Sequence, residues 1–494
     1  MSADEYSQRH FGAATFAAFD PHAAQHRAAA AALHDRLVEI GFGPDRAAAL
    51  FGLAEIADVR PSRTAYYETF VLPHDAAGAA ARFLVLHQPQ SETELRGWLG
   101  DAGVNLLDGM AAIVPFGELR RSLVSATWFA GRLIFADARA YNRLWPEEPF
   151  ADYVMPPGGD SIGLQRVAPR TPRRASLDLC CGAGAQTLAA ATYSESVVGV
   201  DLNPRALRFA RFNAAVNRIE HATFVRGNLY DPLGDARFDA ILANPPFVPW
   251  PDDDTALLYR GGGPRGDDVL GRILEGAVAR LDPAGSLTIV GDLADVASLP
   301  RRIDAWQGEE RRTLLLLQHH HELLDYAESH AAHHKRSAER QAHVVRLLRH
   351  FEHAAIGSLD FGYIVQDGTP GPTYVQRTTA MLAGSIAGDV AAWFAHQRRL
   401  AAGAIDALPL QLAPGLRLVD VAERAPGAAA ESSCYVAPGP GSLHEPSPVS
   451  RRAFALLGRI AAGGLRWCDV EGAGARQELD VLLARGIVRV DATG

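Results

Sequence analysis

The chain has 494 residues and a mass of 53.0 kDa, enough for about two to four domains. Its 48% apolar and 21% charged content is that of a folded soluble chain, and a net charge of −9 argues against a surface built to coat nucleic acid. Four cysteines without a CxxC pair make neither a disulfide framework nor a structural zinc site.

No apolar run reaches membrane-spanning length, and the first residues lack a basic start followed by an apolar core. A cytoplasmic protein without a membrane partner is therefore expected. Lys335 is the only lysine, a bias that runs through the whole chain and marks no site.

Residues 1–150 form an N-terminal substrate-recognition region, helical over about its first 85 residues. Residues 23–40 carry apolar side chains at helical spacing, with Gly41 and Gly43 as the stop. Ser91 and Glu94 read as a capping box opening a helix over 92–99. Gly100 and Gly103 precede a second short helix to Leu107, and 123–129 with 132–135 read as two strands around Ala130 and Gly131. Helix, helix and hairpin look winged-helix-like. Because the surrounding charge is not basic, packing or substrate presentation is expected rather than double-stranded DNA binding.

Residues 151–367 show the rhythm of a doubly wound α/β sheet. Strands are expected over 176–179, 197–201, 223–225, 239–243 and 286–290, helices over 187–191, 204–216 and 268–281, and a late strand over 357–365. A His-rich helical insertion is expected over 314–353, which holds nine of the 18 histidines. His330 and His334, spaced i and i+4 with Glu328 nearby, have metal-ligand spacing. A solvated polar helix explains them better in the absence of HExxH, so no metal is assigned. Residues 368–494 form a C-terminal extension. A long loop is expected over 425–449, then a Phe454, Leu457, Ile460 stripe, a Leu479, Leu482, Leu483 stripe, a stop at Gly486 and a strand over 487–490, a second winged-helix-like module.

Chemistry concentrates at four strand ends. The first strand ends in Asp178, Leu179, Cys180, Cys181, Gly182, Ala183 and Gly184. Such glycines let a ligand approach the backbone, but Thr187 stands where a dinucleotide fold would place its third glycine, so a pyrophosphate cradle is disfavoured. The second ends in Asp201 and Leu202, where an acid can accept both hydroxyls of a ribose. The third is followed by Asn228, whose amide can meet an adenine edge, and Leu229, which can cover the ring.

The fourth is followed by Asn244, Pro245, Pro246 and Phe247. Two prolines stiffen this loop, so the Asn244 oxygen and the Pro245 carbonyl can be aimed at a planar NH2 group while Phe247 stacks on it. Upstream, residues 155–161 read as a lid or a plain linker. Tyr259 and Arg260 are second-tier substrate contacts. Cys181 is explained by its loop and not as a nucleophile.

These four motifs resemble the class I S-adenosylmethionine-dependent N-methyltransferases, whose (D/N)PP(Y/F) motif the NPPF segment is similar to. Within that group the chain resembles the HemK-type protein-glutamine N5-methyltransferases, through the small-residue stretch Gly261, Gly262, Gly263 and Gly266. It is also similar to the ribosomal guanine N2-methyltransferases. The likeness covers about residues 150–300. It implies a Rossmann-like fold and S-adenosylmethionine as cofactor, with S-adenosylhomocysteine as product. Asp178, Cys180, Gly182, Ala183 and Gly184 would lie along its methionine part, Asp201 and Leu202 at the ribose, and Asn228 and Leu229 at the adenine. Asn244, Pro245, Pro246 and Phe247 would hold the acceptor nitrogen.

Cys180 stands where the family often has glycine, and Asn228 replaces a commoner Asp. The expected acceptor is a glutamine amide of a protein or peptide. The alternatives are an RNA base amine (guanine N2 or adenine N6), a small molecule, or no acceptor at all in a cofactor-binding regulator.

Overall fold

The structure is a computed structural model and describes residues 13–138, 151–251, 258–308, 311–331, 337–378, 384–403, 405–423, 431–439 and 442–490. The N-terminal part opens with α1 (Ala24–Glu39), which buries Leu33 and Leu37. Short 3-10 and π turns replace regular helix between residues 49 and 71. They are followed by α2 (Ala76–Leu84) and α3 (Glu92–Gly109). The capping box of α3 is formed: Ser91 Oγ accepts from the Glu94 N–H at 3.2 Å, and the Glu94 carboxylate accepts from the Ser91 N–H at 2.8 Å. Gly100, at φ 78°, kinks this helix where the sequence places a break.

Two antiparallel hairpins come next: β1 (Ile113–Phe116) with β2 (Leu119–Ser122), and β3 (Val124–Phe129) with β4 (Arg132–Asp137). Only the second is expected from sequence. In the first, Glu118, Arg120 and Arg121 obscure the apolar alternation.

The chain then runs through α4 (Gly159–Val167), β5 (Arg173–Leu179), α5 (Ala185–Ala190), β6 (Ser194–Asp201), α6 (Pro204–Val216), β7 (Ala222–Arg226) and β8 (Phe238–Ala243). It continues as α7 (Asp268–Arg280), β9 (Leu281–Ala294), α8 (Leu299–Gln307), β10 (Arg311–His321), α9 (Leu323–Ala331), α10 (Ser337–His353), β11 (Leu359–Pro370) and β12 (Thr373–Arg377). Eight of these strands form one sheet in the order β12-β10-β11-β9-β8-β5-β6-β7. All neighbours are parallel except β11, which runs against both β9 and β10. Chain order reverses between β5 and β8, and the crevice at such a switch point is where doubly wound sheets bind ligands.

One expectation is overturned here. Residues 314–321 are strand, not the start of a helix. Leu314, Leu315, Leu316 and Leu317 are all buried because β10 lies inside the sheet and is covered on both faces. A run of leucines suits a helix by propensity and an interior strand by burial, and burial decides. Among the described residues the helical part of the insertion is α9 and α10; His333 and His334 lie outside them.

The sheet also runs past the expected boundary at residue 367. β12 is its edge strand, and α11 (Ala387–Ala402) packs Trp393 and Phe394 against Leu314, Leu316, Tyr363 and Val365. The remainder comprises β13 (Leu410–Leu412), β14 (Arg417–Glu423), β15 (Glu431–Ala437), β16 (Ser447–Val449), α12 (Arg451–Ala461), α13 (Ala473–Ala484) and β17 (Val488–Val490). Leu457, Ile460, Leu479, Leu482 and Leu483 form a core there. The expected loop over 425–449 is partly sheet, since β15 pairs with β14 and β16. Its inward residues Cys434 and Val436 are buried, but prolines and glycines around them hide the alternation in sequence.

The N-terminal part shares one hydrophobic core with the large sheet: Phe16, Leu37, Phe83, Trp98 and Phe135 cluster with Leu188, Phe209, Phe212 and Phe224. Two asparagines on α6 seal the contact. Asn213 Oδ1 accepts from the Phe135 N–H at 2.8 Å while its Nδ2 donates to the Phe135 carbonyl at 2.8 Å. Asn217 makes the same pair of bonds to Leu133 at 2.9 and 2.8 Å. Spaced i and i+4, they face β4 together and pair its otherwise open edge, at about 0.5–1.5 kcal/mol per bond. Asn213 Nδ2 also donates to the Ala183 carbonyl at 2.9 Å, which ties β4 to the loop after β5.

Candidate active site

Four loops leave the C-terminal ends of β5, β6, β7 and β8 and converge on a cavity of about 580 Å³, a size suited to a cofactor or small substrate. Asp178, Cys180, Gly182, Ala183, Asp201, Leu202, Asn228, Leu229, Asn244, Pro245, Pro246 and Phe247 all line it. Gly184 is not among the lining residues. A Cβ there would lie 3.2 Å from both Ala210 Cβ and the Phe224 ring, so this glycine serves the packing of α6 and β7. At Gly182, by contrast, a Cβ would meet nothing within 4 Å.

The loop after β5 turns through positive φ at Cys180 (57°), Gly182 (53°) and Gly184 (83°). Cys180 adopts the left-handed form without being glycine, at about 1–2 kcal/mol. Asp201 braces the loop: one oxygen accepts from the Gly182 N–H at 2.8 Å and the other from the Asn203 N–H at 2.8 Å. Asp178 accepts from the Thr187 N–H at 2.8 Å and its hydroxyl at 2.6 Å, so Thr187 is a partner of this acid.

Burial pushes the Asp178 carboxyl up to about 7; the Thr187 bonds hold it down, and the charge of Asp201 raises it. Burial raises Asp201 too, against backbone hydrogen bonds from Asn203, Gly182 and Leu202. The Cys180 and Cys181 thiols are pushed well up by burial and by the two carboxylates, which leaves them poor nucleophiles.

The loop after β8 is held on both sides of residues 252–257, which lie outside the described residues. Val248 N–H donates to the Arg260 carbonyl at 3.0 Å, Gly262 N–H to the Val248 carbonyl at 2.9 Å and Trp250 N–H to the Gly263 carbonyl at 3.0 Å. This explains the run of small residues. A Cβ on Gly262 would lie 2.8 Å from Phe247 Cα, and one on Gly266 only 2.4 Å from the Phe247 carbonyl oxygen, so side chains there would drive the two segments apart. Gly291 on β9 makes room for the Phe247 side chain in the same way, at 3.2 Å.

Asn244 Nδ2 donates to Asp160 Oδ2 at 2.9 Å and to Ser161 Oγ at 3.2 Å. A carboxylate only accepts, so this contact fixes which end of the amide faces α4 and leaves Oδ1 as an acceptor.

Residues 155–161 are more than a linker, since Met155, Pro156, Pro157, Asp160 and Ser161 line the cavity. Tyr259 and Arg260 line it as well, and the Tyr259 ring sits 5.4 Å from that of Tyr153. Sequence reasoning missed Ser329 and His330 of α9, Arg272 of α7, and the role of Asp160. His330 stacks on Tyr326 at 4.1 Å, and burial pushes its ring down to about 4. Among the described residues no group of three or more His, Cys, Asp or Glu is placed to hold a metal, and no helix is long and apolar enough to cross a membrane.

Residues 161–295 match the methyltransferase small domain. The chain is 31% identical over 226 residues to the ribosomal protein uL3 glutamine methyltransferase of Bradyrhizobium diazoefficiens, across 43% of this chain and 70% of that protein. It is 34% identical over 237 residues to the release factor glutamine methyltransferase of Deinococcus radiodurans, across 45% of this chain and 77% of that protein. The chain belongs to the protein-glutamine methyltransferase family. A solved 16S rRNA N2 G1207 methyltransferase of T. thermophilus with AdoMet and guanosine is also similar, at 18% identity, TM-score 0.26, and 47% and 64% of the two chains.

This methyltransferase uses S-adenosylmethionine, and its cavity suits that ligand. The lining carries the Asp178 carboxyl, suited to a cationic group, and the Asp201 carboxyl, suited to a pair of ribose hydroxyls, together with a glycine whose missing Cβ leaves open space.

Proposed function

We propose that this methyltransferase places a methyl group on the side-chain amide nitrogen of a glutamine in a protein. The observation that carries the reading is the fixed orientation of Asn244, whose Oδ1 is left as an acceptor while Asp160 and Ser161 hold its NH2. An acceptor pair at Asn244 Oδ1 and the Pro245 carbonyl fits a planar NH2, and Phe247 offers a face to the flat amide. The bound cofactor supplies an electrophilic methyl on a sulfonium.

Asp178, Cys180, Gly182 and Ala183 would hold its methionine part, Asp201 and Leu202 the ribose, and Asn228 and Leu229 the adenine. The chain's own contribution is orientation. Two acceptors draw on the amide hydrogens as positive charge develops on nitrogen, so no strong base is required.

The test is label transfer from tritiated S-adenosylmethionine into the separated protein and RNA fractions of cells lacking the enzyme. Label in protein that complete enzymatic digestion recovers as N5-methylglutamine, and acid hydrolysis as methylamine, is expected; label in RNA, or on any other residue, overturns the reading.

Asp178 gives the cofactor a pH dependence. With its carboxyl near 7 in the free protein, the ionised form is lost as pH falls through that value, and a cationic ligand loses its counter-charge. Affinity for S-adenosylmethionine should therefore fall by up to about tenfold per pH unit below about 7, in a range where an α-amino group stays protonated. Calorimetric titration between about pH 5.5 and 7.5 measures it. Asp178→Asn should flatten the profile, and a flat wild-type profile would remove Asp178 from the cofactor site.

A further inference from the structure

The acceptor site has a supporting residue outside the four loops. Asp160 stands in the first turn of α4, and its Oδ2 lies 2.9 Å from Asn244 Nδ2. Ser161, which is buried, adds its Oγ at 3.2 Å, and the Ser161 carbonyl is held by Gln186 Nε2 at 2.7 Å. The helix that carries both is fixed on the sheet. Leu164 and Val167 pack with Val290, Leu314 and Tyr363. A Cβ on Gly163 would lie 1.9 Å from the Tyr363 hydroxyl, so only glycine allows this approach. Gly158 likewise leaves room for the Asp160 carboxylate, since a Cβ there would be 2.8 Å from its Oδ1.

Asn244 alone is ambivalent. Its amide presents an oxygen or an NH2 to the cavity at little difference in shape, and the NH2 would repel the hydrogens of an incoming amide. We propose that Asp160 is the positioning residue of the acceptor site. Its carboxylate, assisted by Ser161, holds the Asn244 NH2 and so turns Oδ1 towards the nitrogen to be methylated. The negative charge also polarises the Asn244 amide and makes that oxygen a better acceptor as the nitrogen becomes cationic. This rests on the reading that Asn244 receives the acceptor nitrogen, and the variants below separate the two.

The assay is the initial rate of label transfer from tritiated S-adenosylmethionine into a protein extract of cells lacking the enzyme. Asp160→Ala should lower the rate about 10–100-fold with cofactor Kd within about twofold, since only orientation is lost. On an Asn244→Ala background the same change should add less than about twofold, because there is nothing left to orient. Asn244→Asp sets two carboxylates against each other and should be as slow as Asn244→Ala. Adding Asp160→Asn to it restores a donor–acceptor pair with reversed polarity and should recover at least about tenfold.

A full additional loss from Asp160→Ala on the Asn244→Ala background overturns the proposal. So does an Asp160→Ala rate equal to wild type, or the absence of recovery in the exchanged pair. A wild-type rate for Asn244→Ala would instead overturn the assignment of Asn244 itself.

Discussion

Asn244→Ala is expected to slow methyl transfer by about 10²–10³-fold, the usual range for loss of one preorganised charge-stabilising contact. Affinity for S-adenosylmethionine should stay within about twofold, because Asn244 follows β8 while the residues proposed for the cofactor lie at the ends of β5, β6 and β7. The alanine keeps both prolines and the bonds that join Val248, Trp250, Gly262 and Gly263, so the loop path survives. The side-chain acceptor is lost, and the Asp160 carboxylate is left without its amide donor. Single-turnover label transfer at saturating cofactor, beside calorimetric cofactor binding, separates the two quantities. Equal loss of rate and affinity would mean that Asn244 acts on the cofactor, and the acceptor-site reading would fail.

Asp137→Ala should cost about 3–5 kcal/mol of stability, the range for removing one partner of a buried ion pair. Arg205 is 1% exposed and both of its terminal nitrogens reach the Asp137 carboxylate. The pair joins β4 of the N-terminal part to the first turn of α6, and Asp137 also accepts from the Val154 N–H at 2.7 Å beside the cavity. Without the acid, the buried guanidinium loses the carboxylate that both its terminal nitrogens reach. Burial raises the Asp137 carboxyl overall, and the charge and hydrogen bonds of Arg205 counter that only in part. Denaturant unfolding of the two proteins at equal pH measures the loss; a change under about 1 kcal/mol would show that the pair is not coupled to folding.

Much of the site was legible because its devices are local. An acid at a strand end, glycines in a turn and two adjacent prolines each constrain a few neighbouring residues, and the strands that carry them emerged within a few residues of their expected bounds. What escaped depended on contacts between residues far apart in the chain. Asp160 is one unremarked acid in a Gly-rich segment until α4 brings it to Asn244, 84 residues away. His330 reads as one of many histidines until α9 lays it against the cavity. The leucines of β10 belong to a strand only because β11 and β12 flank them, and Asn213 and Asn217 look like ordinary polar helix residues until β4 meets them. The sequence pattern over 425–449 failed for a further reason: small residues carry little periodic signal even when paired in a sheet.

The core that runs from Phe16 to Phe224 has a consequence for synthesis. A nascent chain made from the amino end cannot complete that core until the aromatic face of α6 and the ring of β7 have left the ribosome. At ordinary elongation rates this is a delay of roughly 10–40 s. Throughout that interval the helices and hairpins already made carry unmatched oily faces, so the earliest segments wait longest to fold, while the rest of the chain is still being made. Severing the chain near residue 150 would strand both halves in that sticky state.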